Sequence, residues 1–251
     1  MSGGKVAPTA EFTTHSLLQN ISRQRKVSFM RGFLLVFDLD GTLVDSVPDL
    51  RAALNQVLRE RGLRLLSPQQ VKHMVGDGVP VLIARALAAS GADPSEAVTA
   101  LPRFLEIYEA NAAHLTRPYP GVPETLRALR HRGYRAAICT NKPQRATIAV
   151  LQGVGLLPFF DGIAGGDWFA VRKPDPAHLL GIISELGASR AASAMIGDNE
   201  NDAAAARAAS VPLVLMRYGY ARVDPETLPA DALLDRFSEL PDALERLGLT
   251  P

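Results

Sequence analysis

Five consecutive apolar residues, Phe33-Leu34-Leu35-Val36-Phe37, run directly into Asp38-Leu39-Asp40-Gly41-Thr42. An unbroken apolar run closed by a turn glycine predicts a strand buried on both faces of a parallel sheet. From Pro48 the period changes. Leu50, Ala53, Leu54, Val57 and Leu58 recur at helical spacing on one face, and Gly62 ends that helix. Ser67-Pro68-Gln69-Gln70 reads as a capping box with proline at the first helical position. Gly76-Asp77-Gly78 breaks this second helix, and another begins at Val79 and reaches Ser90. Residues 94–114 are helical again, kinked or divided at Pro102. Residues 48–116 therefore read as all helical.

After Pro118-Tyr119-Pro120-Gly121 strands and helices alternate. The pattern predicts helices over 123–132, 144–154, 176–186 and 201–209, with strands over 134–140, 162–164, 194–197 and 212–216 and a last strand near 230–234. Serial βα units argue for an α/β fold whose parallel sheet is covered on both faces. A helical insert after the first strand would sit above the carboxyl edge of that sheet, where it can act as a lid.

The chemistry begins at the first strand. Asp38 and Asp40, two apart on an extended segment, point the same way and crowd the carboxyl edge where open α/β sheets hold ligands. Two such carboxylates repel unless a cation or a shared proton relieves them. Metal-assisted chemistry on an anionic substrate fits this, and so does a plain acidic turn. Three further strand ends bear on the choice. Thr140-Asn141 offers a hydroxyl and an amide, Lys173 lies in Arg172-Lys173-Pro174-Asp175-Pro176, and Gly197-Asp198-Asn199-Glu200-Asn201-Asp202 opens an alanine-rich helix.

Composition narrows the partners. The chain has 251 residues, 47% of them hydrophobic, enough for a full core. A formal charge of +1 provides no basic field to recruit nucleic acid, and no apolar stretch is long enough for a membrane span. The lone Cys139 excludes an internal disulfide and a cysteine-based zinc site, and suits a reducing, cytoplasmic compartment. It reads as buried packing. Residues 1–32 read as a basic tail expected to be disordered, with Lys5, Arg23, Arg25, Lys26 and Arg31 against Glu11, and Met30 offers a second start site. The number of subunits is not written in these patterns.

Asp38-Leu39-Asp40-Gly41-Thr42-Leu43, Thr140-Asn141-Lys142, Lys173-Pro174 and Gly197-Asp198-x-x-x-Asp202 resemble, in order, the four motifs of the haloacid dehalogenase-like phosphatases. The resemblance spans residues 33 to about 220. It implies a Rossmann-like core over 33–47 and 117–251 and an inserted all-helical cap over 48–116. Val75-Gly76-Asp77-Gly78-Val79-Pro80, Thr140-Asn141-Lys142-Pro143, Gly165-Gly166-Asp167 and Tyr218-Gly219-Tyr220 further look like the bacterial phosphoglycolate phosphatases. Asn199 stands where that group often has serine, and Asp175 and His178 depart from its commonest wording.

The resemblance implies that Asp38 is the nucleophile, forming an aspartyl-phosphate that divides a very slow hydrolysis into two displacements. Asp40 would protonate the leaving alkoxide and later deprotonate water. Mg²⁺ would be held by the carboxylates of Asp38 and Asp198 and the main-chain carbonyl of Asp40. Lys173, Thr140 and Asn141 would hold the phosphoryl oxygens. Asp202 either orients the lysine or a metal-bound water, or serves as a helix N-terminal acid. Specificity would come from the cap, with Gly76, Gly78, Arg85 and His73 as candidates, and Arg145, soon after the second motif, is another. The leading substrate is the small phosphoester 2-phosphoglycolate. Rivals are a sugar-phosphate or nucleotide phosphatase, a phosphosugar mutase, a phosphonate hydrolase using Lys72, and a non-catalytic binding module.

Overall fold

The computed structural model describes residues 32–111 and 113–251. The expectations for the basic tail and for Met30 lie outside these residues, apart from Gly32. Strand β1 (Leu34–Phe37) forms where the apolar run predicts it, and every residue in it is buried. It is central to a six-stranded sheet with β4 (Arg135–Cys139), β5 (Gly162–Ala164), β6 (Ser193–Gly197), β7 (Leu213–Met216) and β8 (Ala232–Leu234), in the order β5-β4-β1-β6-β7-β8. All neighbouring pairs are parallel.

Alternation along β1 sends Leu35 and Phe37 to one face and Leu34 and Val36 to the other. Helices α5 (Val122–His131), α6 (Gln144–Gly153) and α9 (Leu240–Arg246) cover the first face through Leu126, Leu129, Val150 and Leu244. Helices α7 (Pro176–Glu185) and α8 (Glu200–Ala209) cover the second through Leu179, Ile182, Ala203 and Ala206. The α/β architecture is as expected. The chain reverses its winding at β1, so a crevice opens at the carboxyl ends of β1, β4 and β6.

The insert consists of α1 (Val47–Glu60), α2 (Pro68–Lys72), α3 (Val79–Ala89) and α4 (Ala97–Asn111), with a short 3₁₀ turn at Pro94–Glu96. The capping box at Ser67 is present in both directions. Helix α4 is not divided at Pro102; it continues through the proline as one element. Pro102 removes one amide from the ladder, and the buried face of Ala100, Phe104, Ile107 and Tyr108 holds the helix together. Two features fall outside the sequence reading. One is helix α9. The other is a ribbon at the base of the insert, β2 (Val44–Asp45) antiparallel to β3 (Arg117–Pro118). Beside it the buried Asp49 carboxylate accepts from the main-chain N–H groups of Leu115 and Thr116 and from the Thr116 hydroxyl, at 2.7–3.0 Å. That bond set fastens the start of α1 to the returning chain.

Candidate active site

Asp38 follows the last residue of β1, and its main-chain N–H donates to Ile196 in the neighbouring β6. Its Oδ1 accepts from the Leu39 N–H at 2.7 Å and pairs with the Lys173 ammonium at 3.1 Å. Lys173 is also bonded to Asp202 Oδ1 at 2.6 Å, with both side chains buried. The second oxygen of Asp202 accepts from the main-chain N–H groups of Asp198 and Asn199 at 2.9 and 3.2 Å. Asp202 thus both caps the start of α8 and is bonded to Lys173.

Asp198 leaves the end of β6 and is fully buried. Thr42 Oγ1 donates to its Oδ1 at 2.6 Å, and the Tyr220 N–H to its Oδ2 at 2.7 Å. A Cβ at Gly41 or at Gly219 would collide with this carboxylate. Gly41 also has a φ of +93°, so its lack of a side chain serves both the turn and the close approach. The Tyr218-Gly219-Tyr220 segment is a clamp. The Tyr218 hydroxyl donates to the Thr42 carbonyl at 2.7 Å, and the Tyr220 hydroxyl to Asp45 at 2.7 Å.

Ligand oxygens of Asp38, Asp198 and Asp202 come within 4.8 Å of one another. Burial pushes the Asp38 carboxyl up to about 6, against the pull of Lys173. Burial, followed by the charges of Asp202 and Asp38, raises Asp198 well above the carboxylate range. Burial disfavours the Lys173 ammonium, but the facing carboxylates of Asp202 and Asp38 outweigh it and raise its pKa. This donor set fits a hard divalent cation between Asp38 and Asp198; among the described residues the oxygens of Asp198 are met only by neutral donors, whereas Asp202 is already bonded to the Lys173 ammonium at 2.6 Å.

Asp40 lines the same cavity as Asp38 but is paired with a different lysine. Both of its oxygens face the ammonium of Lys142, at 3.1 and 3.0 Å. That ammonium lies 4.7 Å from the Tyr108 ring centroid of α4. Lys142 adjoins the Thr140-Asn141 motif, yet sequence reasoning gave it no role. Only the proximity of Tyr108 and Asp40 in space reveals one.

Asn141 joins the cap loop to the core. Its amide donates to the carbonyls of Gly76 and Lys173, each at 2.8 Å, and its Oδ1 is buried without a partner. Thr140, Asn141, Gly76 and Gly78 line a cavity of about 40 Å³ with Asp38, Asp40 and Lys142. Arg85 lies outside that lining: its guanidinium is bonded to the Met74 carbonyl and to Asp77. Arg145 is 77% exposed and paired with Glu109, and His73 is exposed. Lys72 donates to the Tyr218 carbonyl at 3.2 Å, outside the same lining. His178 accepts from the Lys173 N–H through Nδ1 at 3.2 Å, and its Nε2 faces the Gly165 carbonyl at 3.1 Å.

The model of the haloacid dehalogenase-like hydrolases matches residues 35–216, a span that includes the first strand, the cap and all four motif sites. The chain belongs to the haloacid dehalogenase-like hydrolase family. It is 43% identical over 230 residues to a phosphoglycolate phosphatase of Rhodospirillum rubrum, covering 86% of this chain and 95% of that one. A phosphoglycolate phosphatase of Caulobacter vibrioides is 40% identical over 216 residues, covering 85% and 91%. Among solved structures, one described as a predicted phosphoglycolate phosphatase from Haemophilus somnus superposes with a TM-score of 0.79 at 31% identity, covering 83% of this chain and 96% of that one. Family and fold agree with the Rossmann-like core and helical cap expected from the motifs. No helix among the described residues is long and apolar enough to cross a membrane.

Proposed function

We propose that the chain is a Mg²⁺-dependent phosphatase of small anionic phosphomonoesters, with 2-phosphoglycolate as its leading substrate and glycolate and phosphate as products. The observation that carries this reading is the buried cluster of Asp38, Asp198, Asp202 and Lys173, whose member Asp38 lines a small cavity together with Asp40.

In this mechanism an oxygen of Asp38 attacks phosphorus as the ester P–O bond breaks. Asp40 passes a proton to the departing alkoxide oxygen. Water then attacks the aspartyl-phosphate, Asp40 takes the water's proton, and the bond from Asp38 to phosphorus breaks to release phosphate. Lys173 fixes Asp38 and meets the phosphoryl oxygens with the Thr140 hydroxyl. Asn141, whose amide hydrogens are taken by carbonyls, contributes its main-chain N–H. Asp38, Asp198 and the Asp40 carbonyl would hold Mg²⁺, which supplies the charge that lets a carboxylate approach a phosphate dianion. Asp202 steadies Lys173 rather than acting as a ligand. Gly76 and Gly78 close the cavity from the cap, and the domain limits 33–47 with 117–251 for the core and 48–116 for the cap follow the same division of labour. A cytoplasmic location belongs to this reading, supported by the single buried cysteine.

Phosphate release from a panel of phosphoesters, with Mg²⁺ and with chelator, tests it. Metal-dependent turnover led by 2-phosphoglycolate is expected. Turnover led by a sugar phosphate or nucleotide would retain the chemistry and remove the named substrate, and no turnover would remove both.

A further inference from the structure

Lys142 is a buried cation that the phosphoryl-transfer steps do not use. Its side chain is 3% exposed, and it is the one cationic side chain among those lining the cavity. A buried ammonium is costly unless it is paired. Here it has one carboxylate, Asp40, and the face of Tyr108 from the cap. Lys173, by contrast, lies between two acids.

The placement specifies what this cation can meet. In the proposed reaction the ester oxygen lies within hydrogen-bond reach of Asp40, because Asp40 protonates it. Lys142 Nζ is 3.0 Å from that same carboxylate, so it lies beside the ester oxygen. A carboxylate close to the ester oxygen would meet this ammonium, whereas a neutral group there would leave it no new partner, the rest of the lining including the aliphatic Leu50, Val79 and Leu82.

We propose that Lys142 is the recognition cation for the second negative charge of the substrate. On this view the site selects phosphoesters of the smallest 2-hydroxy acids, with the carboxylate sharing Lys142 with Asp40 under the cap. The proposal rests on the phosphomonoesterase reading and gives that reading its substrate class.

The test compares 2-phosphoglycolate with its neutral carboxamide, both with Mg²⁺, in the native protein and in Lys142→Met. A site built to pair a buried charge should prefer the acid by about 100-fold in kcat/KM. The substitution should shrink that ratio about 30-fold or more. A native ratio near one overturns the proposal, whether or not the variant folds. An equal fall for both substrates also overturns it, because Lys142 would then serve Asp40 or the fold alone. Native turnover of the carboxamide reads the phosphatase chemistry separately: its presence without acid preference removes only this proposal, and absence of turnover on either ester removes the parent reading with it.

Discussion

His178 makes the stability of the core acid-sensitive in a way that can be calculated. It is fully buried, bonded to the main chains of Lys173 and Gly165, and neither bond requires a charged ring. Burial and then the Lys173 charge push its pKa down to about 4 from 6.5, with only Asp175 and the Gly165 carbonyl opposing. The neutral ring is therefore the folded form, and the unfolded chain takes up a proton first as pH falls. Stability from this residue is complete above about 6.5, falls through the interval and levels below about 4. The full interval amounts to about 3 kcal/mol, and about 2 kcal/mol is gone at pH 5. Asp38 acts in the opposite direction. Its folded pKa of about 6 exceeds its unfolded value of 3.8, so acidification through that range favours the fold. A single acid-denaturation curve would mix the two, and the difference between native protein and His178→Gln isolates the histidine, because Asp38 is common to both. Urea unfolding at pH 7.5 and pH 5, with chelator present, is the assay. The native protein should lose about 2 kcal/mol more than the variant over that span. Parallel losses would refute the argument, showing either that the ring is already protonated in the fold or that its burial is relieved by water.

Other perturbations read other joints of the structure. Asp49→Ala leaves the Leu115 and Thr116 donors without their buried acceptor and should cost about 3 kcal/mol in urea unfolding. Gly219→Ala drives a Cβ into Asp198, so the Mg²⁺ concentration for half-maximal activity should rise about tenfold or more. Unchanged metal dependence would remove Asp198 from the ligand set. Asp77 is bonded to Asn201 and Arg222 of the core and to Arg85 of the cap, and it is 22% exposed. Asp77→Ala should cost only about 1 kcal/mol of stability yet raise KM several-fold by loosening the cap loop.

The sequence was most legible where one segment carried its own period. The run Phe33–Phe37, the helical stripe of α1 and the alternation after Gly121 all formed as their patterns dictate. Asp38, Thr140 and Asp198 stand directly after β1, β4 and β6, where a parallel sheet brings such ends together, whereas Lys173 was expected at a strand end and lies instead in the turn before α7, well past the end of β5 at Ala164. What could not be read is what two distant segments make jointly. The β2–β3 ribbon has two residues per strand, too few to show a period, and exists only through pairing across the whole insert. Helix α9 carries Leu240, Ala243 and Leu244 at helical spacing but for only two turns, within the range where tertiary packing rather than propensity decides. Arg85 was a reasonable candidate for an anion because sequence shows its charge and not its partner, Asp77.

The same limit applies to the two acids that opened the argument. Sequence placed Asp38 and Asp40 in one crowded spot, whereas the structure gives each its own lysine, Lys173 for Asp38 and Lys142 for Asp40. With Asp198 and Asp202 added, four carboxylates face two ammonium groups, and two negative charges remain uncompensated in a buried site. Without a cation the protein must shift carboxyls upward, and burial raises both Asp38 and Asp198. Asp198 lies against Gly41 and Gly219 with its oxygen within 4.8 Å of one from Asp38, and a single divalent ion between those two carboxylates would cancel the excess. A monovalent ion would leave one charge unmet where a phosphate dianion has to approach, which is the physical reason to favour Mg²⁺ at this position.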